Sequence, residues 1–166
     1  MDKSVDRQAL VELLQKKIGV EVQVFEDNTG RSIKVPRSQL PQTMKELRDN
    51  EQYQFDYLMN LSSVDYPENF TVVYHLTSMK YKHYLTVKVE ISKEEPCWVP
   101  SVSSIWKAAQ VQEREVYDLM GIIFTDHPDL RRILLPDDFV GHPLRKDFNY
   151  EHEDNTGSQT DLRCKT

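Results

Sequence analysis

Three short runs of alternating side chains decide what this chain can fold into. Phe55, Tyr57, Met59 and Leu61 are interleaved with Asp56, Leu58, Asn60 and Ser62. Phe70, Val72, Tyr74 and Leu76 repeat the pattern, and Leu85, Val87, Val89 and Ile91 repeat it again around Thr86, Lys88 and Glu90. A period of two puts one set of side chains on a buried sheet face and the other set opposite. The links are short and polar, as at Lys80 to Lys82, which suits antiparallel neighbours rather than crossovers.

Helical spacing flanks these strands. Leu10, Leu13, Leu14 and Lys17, with Val11 and Ile18 beside them, predict a helix over 5–18 that stops at Gly19. Val20, Val22 and Val24 predict a strand, Asp27 to Gly30 a turn, and Ser32 to Val35 a returning strand. A second helix is expected over 41–49, with Met44 and Leu47 facing inward. A third begins near Ile105 behind a Ser103 or Ser104 cap and ends at Gly121. Its inner face is expected to be Ile105, Ala109, Val116, Leu119 and Met120, with Arg114 and Asp118 pairing across one turn of the other face. The fold class is therefore α+β: a two-layer domain with helices packed on a mixed, largely antiparallel sheet, followed by an extended C-terminal segment. The other sheet face reads as partly solvated or covered by a polar partner. The expected division is 1–121 for the α+β domain and 122–166 for the extension. At 166 residues the chain has enough core to fold without metals or disulfides.

The extension is irregular. Pro136, Gly141 and Pro143 forbid a long helix, while Leu130, Ile133, Leu134 and Leu135 supply apolar anchors around Arg131 and Arg132. From Asn149 to Thr166 the chain is polar and reads as a draped tail. Such a segment holds its shape by packing on its own domain or on a partner.

Several chemistries fall away. A net charge of −6 argues against a general nucleic-acid binder. Two cysteines, Cys97 and Cys164, sit far apart and suit neither a cluster nor a disulfide framework. No apolar run is long enough to span a bilayer, and no secretion signal opens the chain. The 5 glycines form no phosphate-binding pattern. Tyr74, Tyr81 and Tyr84 suit sheet packing better than base stacking. Glu113, Glu115, Asp118, His127 and His142 invite a metal or acid–base site, yet no HExxH spacing occurs and the histidines lie in separate turns. A small acid–base hydrolase using Glu115 and His127 is the alternative of another class. Charged hydrogen bonds that fix the irregular segment, or meet a partner, fit the pattern better. Asp137, Asp138 and Asp147 are placed to orient Arg131, Arg132, Arg145 and Lys146.

The stretch from Glu113 to Asp147 closely resembles the signature of the respiratory complex I 30 kDa subunit family, the C-type subunits of NADH–quinone oxidoreductase. The matching residues are Glu113-Arg114-Glu115, Tyr117-Asp118, Gly121-Ile122, Phe124, His127-Pro128, Leu130 with Arg131 to Leu134, Pro136, and Gly141 to Asp147. Gln110-Val111, Asp126 and Phe139 stand where the family usually has Asn-Trp, glycine and tryptophan. The resemblance implies an assembly subunit without cofactor or metal, whose extension wraps a 49 kDa/D-type large subunit akin to a hydrogenase large subunit. It also implies neighbouring iron–sulfur subunits and a peripheral place on the cytoplasmic side of an energy-converting membrane, held through the complex. The same resemblance extends to equivalent subunits of membrane-bound nickel–iron hydrogenases and of F420- or ferredoxin-dependent complexes.

Overall fold

The computed structural model describes residues 5–25 and 32–149. The expected turn at 27–30 and all of the tail after Asn149 lie outside the described residues.

Helix α1 (Arg7–Ile18) starts where the Asp6 carboxylate accepts the N–H groups of Gln8 and Ala9, and ends on left-handed Gly19. It buries Leu10, Val11 and Leu14. Strands β1 (Gln23–Phe25) and β2 (Ser32–Lys34) pair antiparallel. The first strand is shorter than the valine alternation predicts. Val20 and Val22 are buried, but in a tight turn ahead of it, closed by the Val22 N–H on the Val20 carbonyl. A single 3-10 turn, Arg37–Gln39, runs into α2 (Leu40–Asp49), which turns Leu40, Met44 and Leu47 inward.

The long strands are β3 (Tyr57–Asp65), β4 (Asn69–Thr77) and β5 (Tyr84–Ser92). The five-stranded sheet has the order β1-β2-β5-β4-β3, with β2–β5 parallel and the other pairs antiparallel. Phe70, Val72, Tyr74 and Leu76 of the central strand are buried in the apolar core, as are Leu85, Val87, Val89 and Ile91 beside them. On the opposite face Ser62, Thr71, His75, Thr86, Lys88 and Glu90 line a concavity of about 480 Å³.

The alternation predicted for the third strand is inverted in its first residues. Leu58 and Leu61 are buried, while Tyr57 and Met59 are 52% and 48% exposed. The register shifts between Leu58 and Asn60. A bulge of this kind inserts one residue and reverses which side chains face the core. Phe55 lies ahead of the strand, buried, with its carbonyl accepting the Trp106 indole N–H at 3.2 Å.

Helix α3 (Ala109–Met120) also starts later than expected. Neither Ser103 nor Ser104 caps it. Ala108 is the N-cap and makes no side-chain cap bond, and the preceding chain passes through tight turns closed by Ile105 and Trp106 N–H groups on the Val102 carbonyl. It also buries two carboxylates, Glu113 and Asp118, on different sides of the helix, while Ile105 and Leu119 are only half-buried. Strand β6 (Trp98–Pro100) pairs parallel with β7 (Ile123–Thr125), bracketing the helix in a two-stranded ribbon. Among the described residues no helix is long and apolar enough to cross a membrane.

Candidate functional site at the end of α3

The centre of the charged segment is Asp118. Its side chain is 0% exposed, yet it is saturated with donors. Oδ2 accepts three consecutive backbone N–H groups, Ile133 at 3.0 Å, Leu134 at 2.8 Å and Leu135 at 2.9 Å. Oδ1 takes the Arg132 guanidinium at 2.7 Å. Burial works to raise the carboxyl pKa. The N–H groups of Leu135 and Ile133, the Arg132 guanidinium and the Leu134 N–H outweigh burial and hold it at about 2.

Arg132 spends its remaining donors on the main chain, with Nη2 on the carbonyls of Phe139 at 2.8 Å and Gly141 at 3.2 Å. Arg114, expected to pair with Asp118, instead reaches the carbonyls of Arg131 at 3.1 Å and Arg132 at 2.9 Å. A charged donor on a carbonyl is about twice as strong as a neutral one. These side chains therefore fold the segment as a sheet partner would, without a sheet.

The segment in turn closes the helix. The last carbonyls of an α-helix have no partners within it. Here the Asp118 carbonyl accepts from His142 Nδ1 at 2.9 Å, Leu119 from the Leu144 N–H at 3.0 Å, and Met120 from Arg145 Nε at 2.6 Å. Arg145 sits where the helix dipole favours a cation. The His142 imidazole, desolvated by burial, has its pKa lowered and acts as a neutral donor. Gly121 makes the approach possible. Its φ is +69°, and a Cβ there would lie 2.4 Å from the His142 ring and 2.5 Å from the Arg145 guanidinium.

One and a half turns earlier, Glu113 faces the opposite way. It is 0% exposed and accepts from Ser101 Oγ at 2.6 Å and from the Val102 N–H at 2.7 Å. Burial pushes its pKa up to about 7, against the opposing pull of those two bonds. His127 lies beside it, with Nε2 at 3.9 Å.

The predicted site residues thus divide. Glu113, Arg114, Asp118, His127, Arg132, His142 and Arg145 converge around α3. Arg131 is exposed and pairs with Asp129, and Lys146 touches the domain through its N–H on Asp65 at 2.8 Å. The side chains of Asp137, Asp138 and Asp147 are exposed and pair with none of the basic groups among the described residues. Asp118 of α3 holds Arg132, and Asp129 within the segment holds Arg131, while Asp65 of β3 takes the Lys146 main chain and pairs with Lys93. Glu115 and His127 are not brought together. His127 is engaged by the Gln110 carbonyl and the Asp129 N–H, and Glu115 makes no hydrogen bond or ion pair with a described residue. Among the described residues no three His, Cys, Asp or Glu side chains are grouped to hold a metal ion. Sequence reasoning missed Ser101, Ser103 and Asp65. Ser101 and Ser103 flank Val102 just ahead of α3, where Ser103 reads as a helix cap and not as a partner of Glu113.

Outside the polar frame, four apolar side chains of the segment also face solvent. Ile133, Leu134, Val140 and Leu144 are 37%, 59%, 86% and 59% exposed.

Comparison with known proteins follows the same stretch. Residues 33–154 match the family described as respiratory-chain NADH dehydrogenase, 30 Kd subunit. The C-type subunit of the NADH-quinone oxidoreductase of Moorella thermoacetica is 47% identical over 135 residues, covering 80% of this chain and 89% of that protein. Among solved structures, the trypsin-resistant fragment of Nqo5 is 28% identical with a TM-score of 0.55, covering 76% of this chain and 100% of the fragment. A chain of the membrane-bound sulfane sulfur reductase, an archaeal respiratory membrane complex, shares the fold at 23% identity and a TM-score of 0.69, over 94% of this chain and 97% of that one.

Proposed function

We propose a structural role for this chain, which belongs to the respiratory-chain NADH dehydrogenase 30 kDa subunit family: it is the C-type subunit of a complex I-like NADH–quinone oxidoreductase, and it braces the large subunit that forms the quinone site. In this reading residues 1–121 are the folded platform and 122–166 the partner-wrapping extension. Arg114, Asp118, His127, Arg132, His142 and Arg145 fix the extension from inside, and Glu113 braces the turn ahead of α3. Glu115, Arg131, Asp137, Asp138, Lys146 and Asp147 meet the neighbours at its polar rim. The chain reaches the membrane through its partners, on the cytoplasmic side, with iron–sulfur subunits nearby.

One observation carries the reading. Four apolar side chains, Ile133, Leu134, Val140 and Leu144, stand in solvent on a backbone already held by its own charged groups. Backbone order is normally lost entropy at association, and here the chain has supplied it beforehand. Interfaces take most of their energy from a few central apolar or aromatic anchors inside a polar rim.

The test is a paired measurement on the full chain carrying Leu134→Asp and Val140→Asp. Calorimetric affinity for the large subunit is expected to fall by at least about tenfold, since each buried anchor contributes roughly 1 kcal/mol or more. The thermal midpoint of the free chain is expected to stay put. Unchanged affinity would move the interface elsewhere.

A further inference from the structure

Glu113 is completely buried, and no lysine or arginine among the described residues pairs with it. The groups that face it leave it without a compensating charge. From β4 comes Tyr74, fully buried, whose hydroxyl has no hydrogen-bond partner and whose ionisation is pushed well above the ordinary range by burial and by the Glu113 charge. From the turn after β7 comes His127. Its Nδ1 accepts the Asp129 N–H at 3.0 Å, so its proton lies on Nε2, where it is donated to the Gln110 carbonyl at 3.0 Å. From the chain ahead of α3 come only Ser101, Val102 and Ser103, which do not titrate.

Ser101 Oγ lies 2.6 Å from Glu113 Oε2 and 2.7 Å from Ser103 Oγ, and it accepts the Ser103 N–H at 3.1 Å. We propose that Glu113 is a proton-binding site of the folded chain, with Ser101 and Ser103 as a hydroxyl relay that satisfies the carboxyl in both charge states. When Glu113 is ionised, Ser101 donates to Oε2 and Ser103 donates its O–H to Ser101. When a proton from solvent binds Oε2, that proton is donated to Ser101 Oγ, and Ser101 turns its own O–H to Ser103. In either state Ser101 Oγ uses both lone pairs, and the Val102 N–H stays on Oε1. Asp118 has no such freedom. Every group on it is a donor, so a proton there would displace a bond.

The sign of the stability effect follows from the raised carboxyl. Its contribution is fully present below the ordinary value of 4.5 and is lost as pH rises through about 7. Across that window the unfolding constant grows about tenfold per pH unit, on the order of a hundredfold in all.

The experiment is carbon-13 NMR of the glutamate carboxyls in the full chain from about pH 5 to 9, with urea unfolding at the same pH values. One carboxyl resonance is expected to titrate near neutrality and to be missing in Glu113→Gln. That variant is also expected to lose the hundredfold dependence. If Glu113→Gln does not fold, Ser101→Ala keeps the carboxyl and identifies its resonance by displacing the midpoint. A Glu113 carboxyl that titrates entirely below about pH 5 overturns the proposal, as does a glutamate set with no midpoint near neutrality in either chain.

Discussion

The sheet and the segment beyond Gly121 are both well-defined, but by opposite means. In the sheet, Val72, Tyr74, Val87 and Val89 are 0% exposed and the backbone pairs with itself. In the segment past β7 the backbone closes only isolated turns on itself, and Asp118, Arg132, Arg114 and Arg145 supply further partners. Burial of apolar area tolerates small errors, because adjacent side chains adjust. A polar frame does not, since each removed group strands the donors it held.

The largest expected effect comes from Asp118→Ala. It leaves Arg132 and three N–H groups without their acceptor, and breaking a buried pair from one side costs about 3–5 kcal/mol. Hydrogen exchange at Ile133, Leu134 and Leu135 should accelerate while amides of β4 and β5 keep their order of protection. Equal acceleration in both regions would mean that the two are one cooperative unit.

Gly121→Ala should come next. A left-handed alanine costs about 1–2 kcal/mol, and the added Cβ also pushes on His142 and Arg145. A lower thermal midpoint, with the Leu144 and Arg145 amides less protected, is the expected result. A chain as stable as the parent would show that the segment can ride outward without loss.

Arg131→Ala should do least. Its pair with Asp129 is 68% and 57% exposed, and exposed pairs are worth about 0–1 kcal/mol. Urea unfolding that distinguishes this variant from Arg132→Ala would separate the rim from the frame, and similar losses would erase that distinction.

The legible parts of this architecture were those written in local pattern. Leu10 and Leu14, Gly19 and Gly121 mark helices and their ends by spacing and backbone freedom. Val87 and Val89 mark a strand by alternation. The third strand misled because its bulge lies inside a run, Tyr57 to Leu61, in which both parities are apolar. The partner of Asp118 was illegible because Arg114 at helical spacing is a plausible match, whereas Arg132 arrives through chain folding. Asp126 shows how a departure is absorbed. It stands where the family resemblance implies glycine, and it takes a φ of +61°, a conformation that aspartate tolerates better than most side chains. Phe139, where the resemblance implies tryptophan, offers an aromatic face to Arg132 and stacks on Phe148.

The lone parallel pairing in the sheet carries a kinetic consequence. Strands β4 and β5 are joined by a short turn, but β2 reaches β5 only after residues 35–83 have been gathered in. Loop-closure entropy therefore favours the β3-β4-β5 meander as the folding nucleus, with the N-terminal hairpin docking onto an edge that already exists. Pulse-labelled hydrogen exchange reads that sequence of events: protection at Val72 and Val89 should precede protection at Ile33, and the reverse order would exclude it. A chain emerging from the ribosome then holds its first strands in waiting until the fifth has been made.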